Sequence, residues 1–350
     1  MSTSVVQLSD AVVPVVYDSY TAVLTPANRR LAESGILSRS EVFDTMARTG
    51  GRTLVVPFWN DLDTSGEPNY SNDDPDDHAV PDSVTTGTMN SRKAFVNNGW
   101  SEMNLVQELI GTSPMQHIRN RTGNFWEVMK TKRLGAILVG LRNCNVSKNA
   151  SDMVLDITGG TGDAAVFNSN AFLDAAYTAG QNADVFTTIV VHSMIASVMA
   201  KEDEIDFVKD SEGRIILRQY KGLNVITTDD PSLVSGAGNA RKFTSILLGR
   251  GSIGFGASAG TCLAFGEGTP KKPVEVVSSA SAGNGGGQET LWERHTWVMH
   301  PYGFNWTDPA VPAEFSPTHA ELNAAANWTR VVPRSAVPMA FLVSYAKAQA

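Results

Sequence analysis

Two glycine-rich stretches are the first places where this sequence could do chemistry, because a glycine turn at the start of a helix can cradle phosphate. Gly249-Arg-Gly-Ser-Ile-Gly254 has the spacing of a dinucleotide-binding turn and follows an apolar run. That chemistry needs a helix to begin at the turn, so that its free backbone N–H groups face the pyrophosphate. The residues that follow, Phe255-Gly-Ala-Ser-Ala-Gly-Thr-Cys-Leu-Ala-Phe265, hold too much glycine for one. Ile157-Thr-Gly-Gly-Thr-Gly162 also follows an apolar run, but no βαβ pattern comes after it. Both stretches read as turns, which leaves a nucleotide-dependent enzyme as the weaker alternative.

Metal and nucleophile chemistry fare no better. The histidines, His78, His117, His192, His295, His300 and His319, show no His-x-x-x-His or His-Glu-x-x-His spacing. His295 and His300 lie five apart in a strand-like run, which puts them on opposite faces. Cys144 and Cys262 lack a Cys-x-x-Cys pattern and read as two small buried hydrophobes. No Gly-x-Ser-x-Gly nucleophile turn or Walker A motif is present. The acids between Asp61 and Asp82 suit Ca²⁺ in composition, but no EF-hand spacing orders them. No catalytic, cofactor-binding or metal-ligating residue is therefore expected.

Charge is segregated along the chain. The 350 residues carry a net charge of −8, which argues against a protein whose main task is gripping nucleic acid. Eight acids (Asp61, Asp63, Glu67, Asp73, Asp74, Asp76, Asp77, Asp82) fall within one stretch without a single Lys or Arg, as in a solvated loop. From Ser113 to Asn143 six bases (Arg119, Arg121, Lys130, Lys132, Arg133, Arg142) face the lone acid Glu127. Arg119, Lys130 and Arg133 project within about 60° on a helix and would form a positive stripe. Ion pairing within or between chains is the first reading of that stripe, and contact with DNA phosphates or with a partner protein the second. An acidic loop and a basic helix could meet in a neighbouring copy.

The elements that must position these groups follow from patterning. Apolar residues make up 42% and charged residues 18%, with no apolar run long enough to span a bilayer. Met1–Tyr20 has no basic leader before Ala11-Val-Val-Pro-Val-Val16, so a secretory signal is not expected and a cytoplasmic origin is. Asn28 to Ser38 predicts a short helix, Arg52 to Trp59 a strand, and Val84 to Val96 a return strand. Together the strands make a two-stranded excursion that is not stable alone in water. Ser113, followed by Pro114, caps the strongest helix, with Met115, Ile118, Thr122, Phe125, Trp126 and Met129 on one face. Its pattern drifts on through Leu134 to Leu141, interrupted by Gly135 and Gly140; some thirty residues would span roughly 45 Å. Further helices are predicted at Ala171–Thr178 with Asn170 as cap, Ser193–Lys201, and Pro317–Thr329 capped by Ser316. Strands are predicted at Phe186–Val191, Ile205–Val208, Arg214–Arg218, Leu223–Thr228, Ser245–Leu248, Trp292–Met299 and Val337–Tyr345. The mixture is α+β, without βαβ repetition or an internal repeat.

Several motifs now fall into a familiar order. These are the Trp100-to-Met115 lead-in to the long helix, Phe125-Trp126, Val191-His-Ser-Met194, and Ile205-Asp-Phe207 with Asp210-Ser-Glu-Gly213. They continue with Tyr220-to-Ile226, Leu248-to-Phe255, His300-Pro-Tyr-Gly-Phe-Asn-Trp306, and Ser316-Pro-Thr with Asn327-Trp328. From about residue 40 to its end the chain resembles the major capsid proteins of tailed bacteriophages, which have the Hong Kong 97 fold. Each motif alone is weak; eight in order are specific.

The resemblance implies an N-arm over 1–50, an extended E-loop over 51–100 and a P domain with its spine helix over 101–150. It implies a mainly A domain over 151–330 with returns to the P domain, and a C-terminal strand over 331–350. It also implies a non-enzymatic function: self-assembly as pentamers and hexamers into an icosahedral shell around double-stranded DNA, in the virion, after assembly in the bacterial cytoplasm. Expected partners are further copies, a portal protein, a separate scaffolding or decoration protein, and DNA contacted without sequence preference. No membrane partner and no cofactor is expected. A cargo-enclosing bacterial nanocompartment shares the fold and is the closer alternative.

Overall fold

The structure, a computed structural model, describes residues 36–39, 41–62, 66–201, 205–209, 215–258, 273–307 and 315–347. The described chain opens with strand β1 (Leu37–Arg39) and helix α1 (Glu41–Arg48). Strands β2 (Thr53–Trp59) and β3 (Thr86–Met103) follow, then helices α2 (Asn104–Ile110) and α3 (Pro114–Lys148). Next come β4 (Val154–Asp156), α4 (Ser169–Tyr177), β5 (Phe186–Val191) and α5 (Ser193–Lys201). A run of strands comes after: β6 (Ile205–Lys209), β7 (Ile215–Tyr220), β8 (Leu223–Thr227), β9 (Val234–Ser235) and β10 (Lys242–Gly249). It continues with β11 (Ile253–Ser258), β12 (Val274–Ser279), β13 (Gln288–Pro301) and β14 (Phe304–Trp306). Helix α6 (His319–Asn323), β15 (Trp328–Arg330) and β16 (Met339–Tyr345) end it.

Two mixed sheets share the spine α3. In the first, β13 is central: it pairs with β11, with β12 and, antiparallel from Gln288↔Met103 to Val298↔Lys93, with the second half of β3. The first half of β3 leaves this sheet and pairs with β2, from Thr53↔Arg92 to Trp59↔Thr86. The second sheet runs β4-β16-β10-β5-β8-β7-β6, with β9 beside β10. Its central strands alternate between two cores, as the two-residue strand period requires. Ile246, Leu248, Val190, Met339 and Phe341 join the core around α3, whereas Leu247, Ile189, Val191, Ala340 and Leu342 join a second core with α4 and α5.

Helix α3 is a single element of 35 residues, about 52 Å long. Ser113 accepts the Gln116 N–H at 3.2 Å and the buried Glu102 carboxylate accepts that of Met115 at 2.6 Å, so two of the free N–H groups of the first turn are matched. The helix passes unbroken through Gly135 and Gly140, both sites of close approach. A Cβ at Gly140 would lie 1.9 Å from the Leu322 carbonyl, and one at Gly135 would lie 2.8 Å from the Asp230 carboxylate. The same account covers the dinucleotide-like motif, which is a strand–turn–strand. Gly251 takes a φ of +70° in the turn between β10 and β11, and a Cβ at Gly254 would strike the Phe43 ring at 2.4 Å.

Several predicted elements differ from the observed ones. Asn168, not Asn170, caps α4, accepting the Ala171 N–H at 2.9 Å. The helix predicted over Pro317–Thr329 shrinks to His319–Asn323, capped by Thr318 in a reciprocal box with Glu321. Ser316 instead bonds both backbone groups of Phe95 on β3, and Trp328 is drawn into an extended pair with Trp306. Tertiary pairing here overrides helical patterning. The return strand runs past Val96 to Met103 because β13 supplies a partner for it. The helix predicted over Asn28–Ser38 lies outside the described residues up to 35, and Leu37 and Ser38 belong to β1, paired with β11.

Candidate functional site

No set of three or more His, Cys, Asp or Glu among the described residues is arranged to hold a metal. The histidines are dispersed. His295 lies against Trp126, 4.4 Å between ring centroids, and His300 against Phe43 on α1 at 6.2 Å. Cys144 is buried and free, its thiol pushed up by burial; Cys262 lies outside the described residues. The glycine-rich stretch from Ile157 to Gly162 is a turn leading into a short 3-10 helix: Gly160 donates to the Ile157 carbonyl at 3.0 Å. What the described residues do present is exposed apolar and charged surface that no other described residue covers.

The ribbon of β2 and β3 carries the clearest case. Its tip, residues 60–62 and 66–85, is exposed throughout and holds the acidic stretch; Asp63 lies outside the described residues. Trp59, Tyr70 and Val80 are 74%, 75% and 74% exposed. Short-range bonds shape the tip: Asn72 accepts the Asp74 N–H at 3.0 Å, Asp74 accepts that of Asp76 at 3.0 Å, and Asn69 donates to the Val80 carbonyl at 3.1 Å. The root of the ribbon is built differently. Lys93 is fully buried and its ammonium donates to the Thr49 carbonyl, while Arg92 donates to the Phe315 carbonyl at 3.2 Å.

The basic residues of α3 do not form one stripe. Arg119 and Lys132 are exposed, and Lys130 is paired with Glu127 at 2.6 Å. Arg133 points inward, donates to the Pro317 carbonyl at 3.0 Å and has its pKa lowered to about 10 by burial. Arg142 is also drawn in, to Thr244 at 2.6 Å, burial lowering its pKa while Asp156 opposes the shift. The stripe expected from Arg119, Lys130 and Arg133 therefore fails, because the helix buries more of its circumference than the first four turns reveal. From Leu134 to Leu141 every residue is buried.

Sequence reading overlooked the cluster that locks the far end of α3. Arg330 grips Asp152 with two bonds of 2.8 Å, and Asn145 donates to the same carboxylate at 2.7 Å. Burial raises the pKa of Asp152, but the Arg330 and Asn145 bonds outweigh it and hold the carboxyl below its usual range. Arg330 lies far from Asp152 in sequence, so no local spacing signals the pair. The exposed Trp59 was legible as part of a strand, and its exposure was not.

No family model matches the sequence. The chain is 32% identical to the "Major capsid protein" of Bacillus phage SPP1 over 327 residues, 93% of this chain and 94% of that protein. Its fold is similar to that in the cyanophage Pam1 capsid, TM-score 0.60 at 12% identity, covering 96% of this chain and 97% of that one. The capsid of Ralstonia phage GP4 gives 0.56 at 11% identity, over 100% and 99% of the two chains. The head structure of Helicobacter pylori bacteriophage KHP40 gives 0.52 at 11%, over 97% and 96%. These likenesses favour neither the nucleotide-binding enzyme nor the nanocompartment. A chain that pairs along nearly its whole length with a curated coat protein, and shares the Hong Kong 97 type of α+β fold with phage shells, belongs to the major capsid proteins of tailed phages and builds the capsid of the virion.

Proposed function

We propose that this chain has no catalytic site, and that its function is spread over surfaces that each need a neighbouring copy. Residues 1–50 act as an N-arm and 51–100 as an E-loop. Residues 101–150 form a P domain around α3, and 151–330 a mainly A domain with returns to the P domain through β11 to β13. Residues 331–350 supply the C-terminal strand. Copies associate as pentamers and hexamers. The observation that carries this reading is the ribbon tip, which exposes Trp59, Tyr70 and Val80 beside a run of exposed acids.

A tip of that composition gains by lying across a basic, partly apolar surface of the next copy, and the first turns of α3, where Arg119 is exposed, are a candidate for it. Such a contact would bury on the order of 1,000 Å² or more, where specific association begins. Ordering the partners offsets much of the gross apolar gain, so each contact stays modest. Many modest contacts acting together give a shell that is stable yet can correct errors. Assembly proceeds in the bacterial cytoplasm, around a portal protein and with a separate scaffolding protein. A decoration protein on the outside and double-stranded DNA, contacted through phosphates without sequence preference, complete the partners. Electron microscopy of the full chain, expressed alone and with a candidate scaffold, tests the reading. Rings, tubes, sheets or shells are expected, and their absence under every condition overturns it.

A further inference from the structure

The ladder between β3 and β13 ends at Lys93 opposite Val298, and beyond that point the strands part. β3 runs on into the ribbon with β2, and β13 runs on towards β14. The fork holds a small cavity with an internal volume of about 10 Å³, just enough for a single water molecule. Ser91 and Arg92 line it from β3, Met299 and His300 from β13, Trp306 from β14 and Arg133 from α3.

Besides the Arg92 Nε, three of these side chains bring polar atoms without a hydrogen-bond partner among the described residues. The Trp306 Nε1, the Ser91 Oγ and both ring nitrogens of His300 lack hydrogen-bond partners there, although the three residues are only 2%, 2% and 4% exposed. Buried polar atoms are almost always matched, so four around one cavity point to an occupant. The chemistry of the atoms narrows its identity. An indole N–H can only donate, a hydroxyl does both, and a neutral imidazole has one nitrogen that donates and one that accepts. Burial lowers the His300 pKa to about 4, so the ring is neutral near pH 7. One occupant reaches only one of the two ring nitrogens; a halide, which can only accept, could meet it only as N–H, whereas water can meet either nitrogen. Water both accepts and donates. The Arg133 guanidinium is directed to the Pro317 carbonyl and one terminal nitrogen of Arg92 to that of Phe315, while the Arg92 Nε adds a further donor at the lining.

We propose that the fork at the root of the ribbon holds one ordered water molecule, hydrogen-bonded to Trp306, Ser91 and His300, which joins β3, β13 and β14 where direct strand pairing stops. The site stands whichever surface the ribbon tip uses. A map of shells built from the full-length chain, at a resolution that shows ordered water, is expected to contain a peak within hydrogen-bond distance of Trp306 Nε1 and of Ser91 or His300. Denaturation midpoints of Trp306→Phe, Ser91→Ala and the double variant give a second readout. Groups that share one water are coupled, so the double variant is expected to fall by clearly less than the sum of the single shifts. A cavity without a peak, or additive shifts, overturns the proposal. So does a peak that strengthens when bromide replaces chloride, which marks an anion instead. Should a variant fail to fold, the map of the unaltered chain decides.

Discussion

The second half of α3 and the tip of the ribbon solve opposite problems. Between Leu134 and Leu141 the helix is buried on every side, and its two glycines let a carbonyl and a carboxylate approach the backbone. Apolar burial of this kind, at about 25 cal/mol per Å², is what holds a chain of this size together on its own. The tip has no such cover. Its large apolar residues and its acids face outward, and its internal bonds, short turns at Asp74 and Asp76 and the Asn69–Val80 link, join exposed groups. Stability of the single chain and association between chains are thus assigned to different stretches, and a substitution in one should leave the other nearly untouched.

The sharpest way to break that division is Gly140→Leu. A Cβ there already meets the Leu322 carbonyl at 1.9 Å, so the larger side chain must force α6 away from α3. The expected loss is about 3 kcal/mol or more of chain stability, read from the midpoint of chemical denaturation. Nearly as large is the expected acid sensitivity of the ribbon's root. His300 has a pKa of about 4 when folded against 6.5 when exposed. Between those values the unfolded chain binds a proton that the folded chain refuses. Its contribution is therefore complete above pH 6.5 and falls as the pH drops towards 4, by about 3 kcal/mol. His300→Gln, which does not titrate, should flatten that part of the stability profile; an unchanged slope would assign it to other groups.

At the tip the prediction reverses. Trp59→Ala should leave the isolated chain within about 0.5 kcal/mol of its original stability, as for other exposed positions. Each contact between copies should weaken by about 2 kcal/mol, enough to lower the yield of shells on electron micrographs. Equal losses in the chain and the shell would show that the tip is not a separate region. The smallest expected effect on the chain comes from Asp73→Asn combined with Asp74→Asn, Asp76→Asn and Asp77→Asn. Melting of the single chain should not move. Assembly followed by light scattering should lose its dependence on salt, because exposed charges are screened within about 10 Å at 0.1 M ionic strength.

Much of this was legible along the chain. The Ser113–Pro114 start of α3, the strand Thr53–Trp59 and its return, the turn at Gly249–Gly254 and the solvated acidic stretch are all local signals, set by capping, side-chain period and backbone permission. The order of motifs carried the family itself. The C-terminal limits of elements were less legible: Trp328 sits in a helix-like pattern yet pairs as a strand with Trp306, a partner 22 positions earlier that no local rule selects.

The sequence by itself determined where the long helix starts, where the β2–β3 ribbon and the Gly249–Gly254 turn fall, and that the acidic stretch is an exposed loop. Only the tertiary structure decided that Arg133 turns inward to the Pro317 carbonyl while Arg119 stays out. It alone brought Asp152 to Arg330, and Ser91, His300 and Trp306 to one cavity. Such outcomes depend on which surfaces close over a side chain. That is set by contacts between residues far apart in sequence, where helical or strand period carries no information.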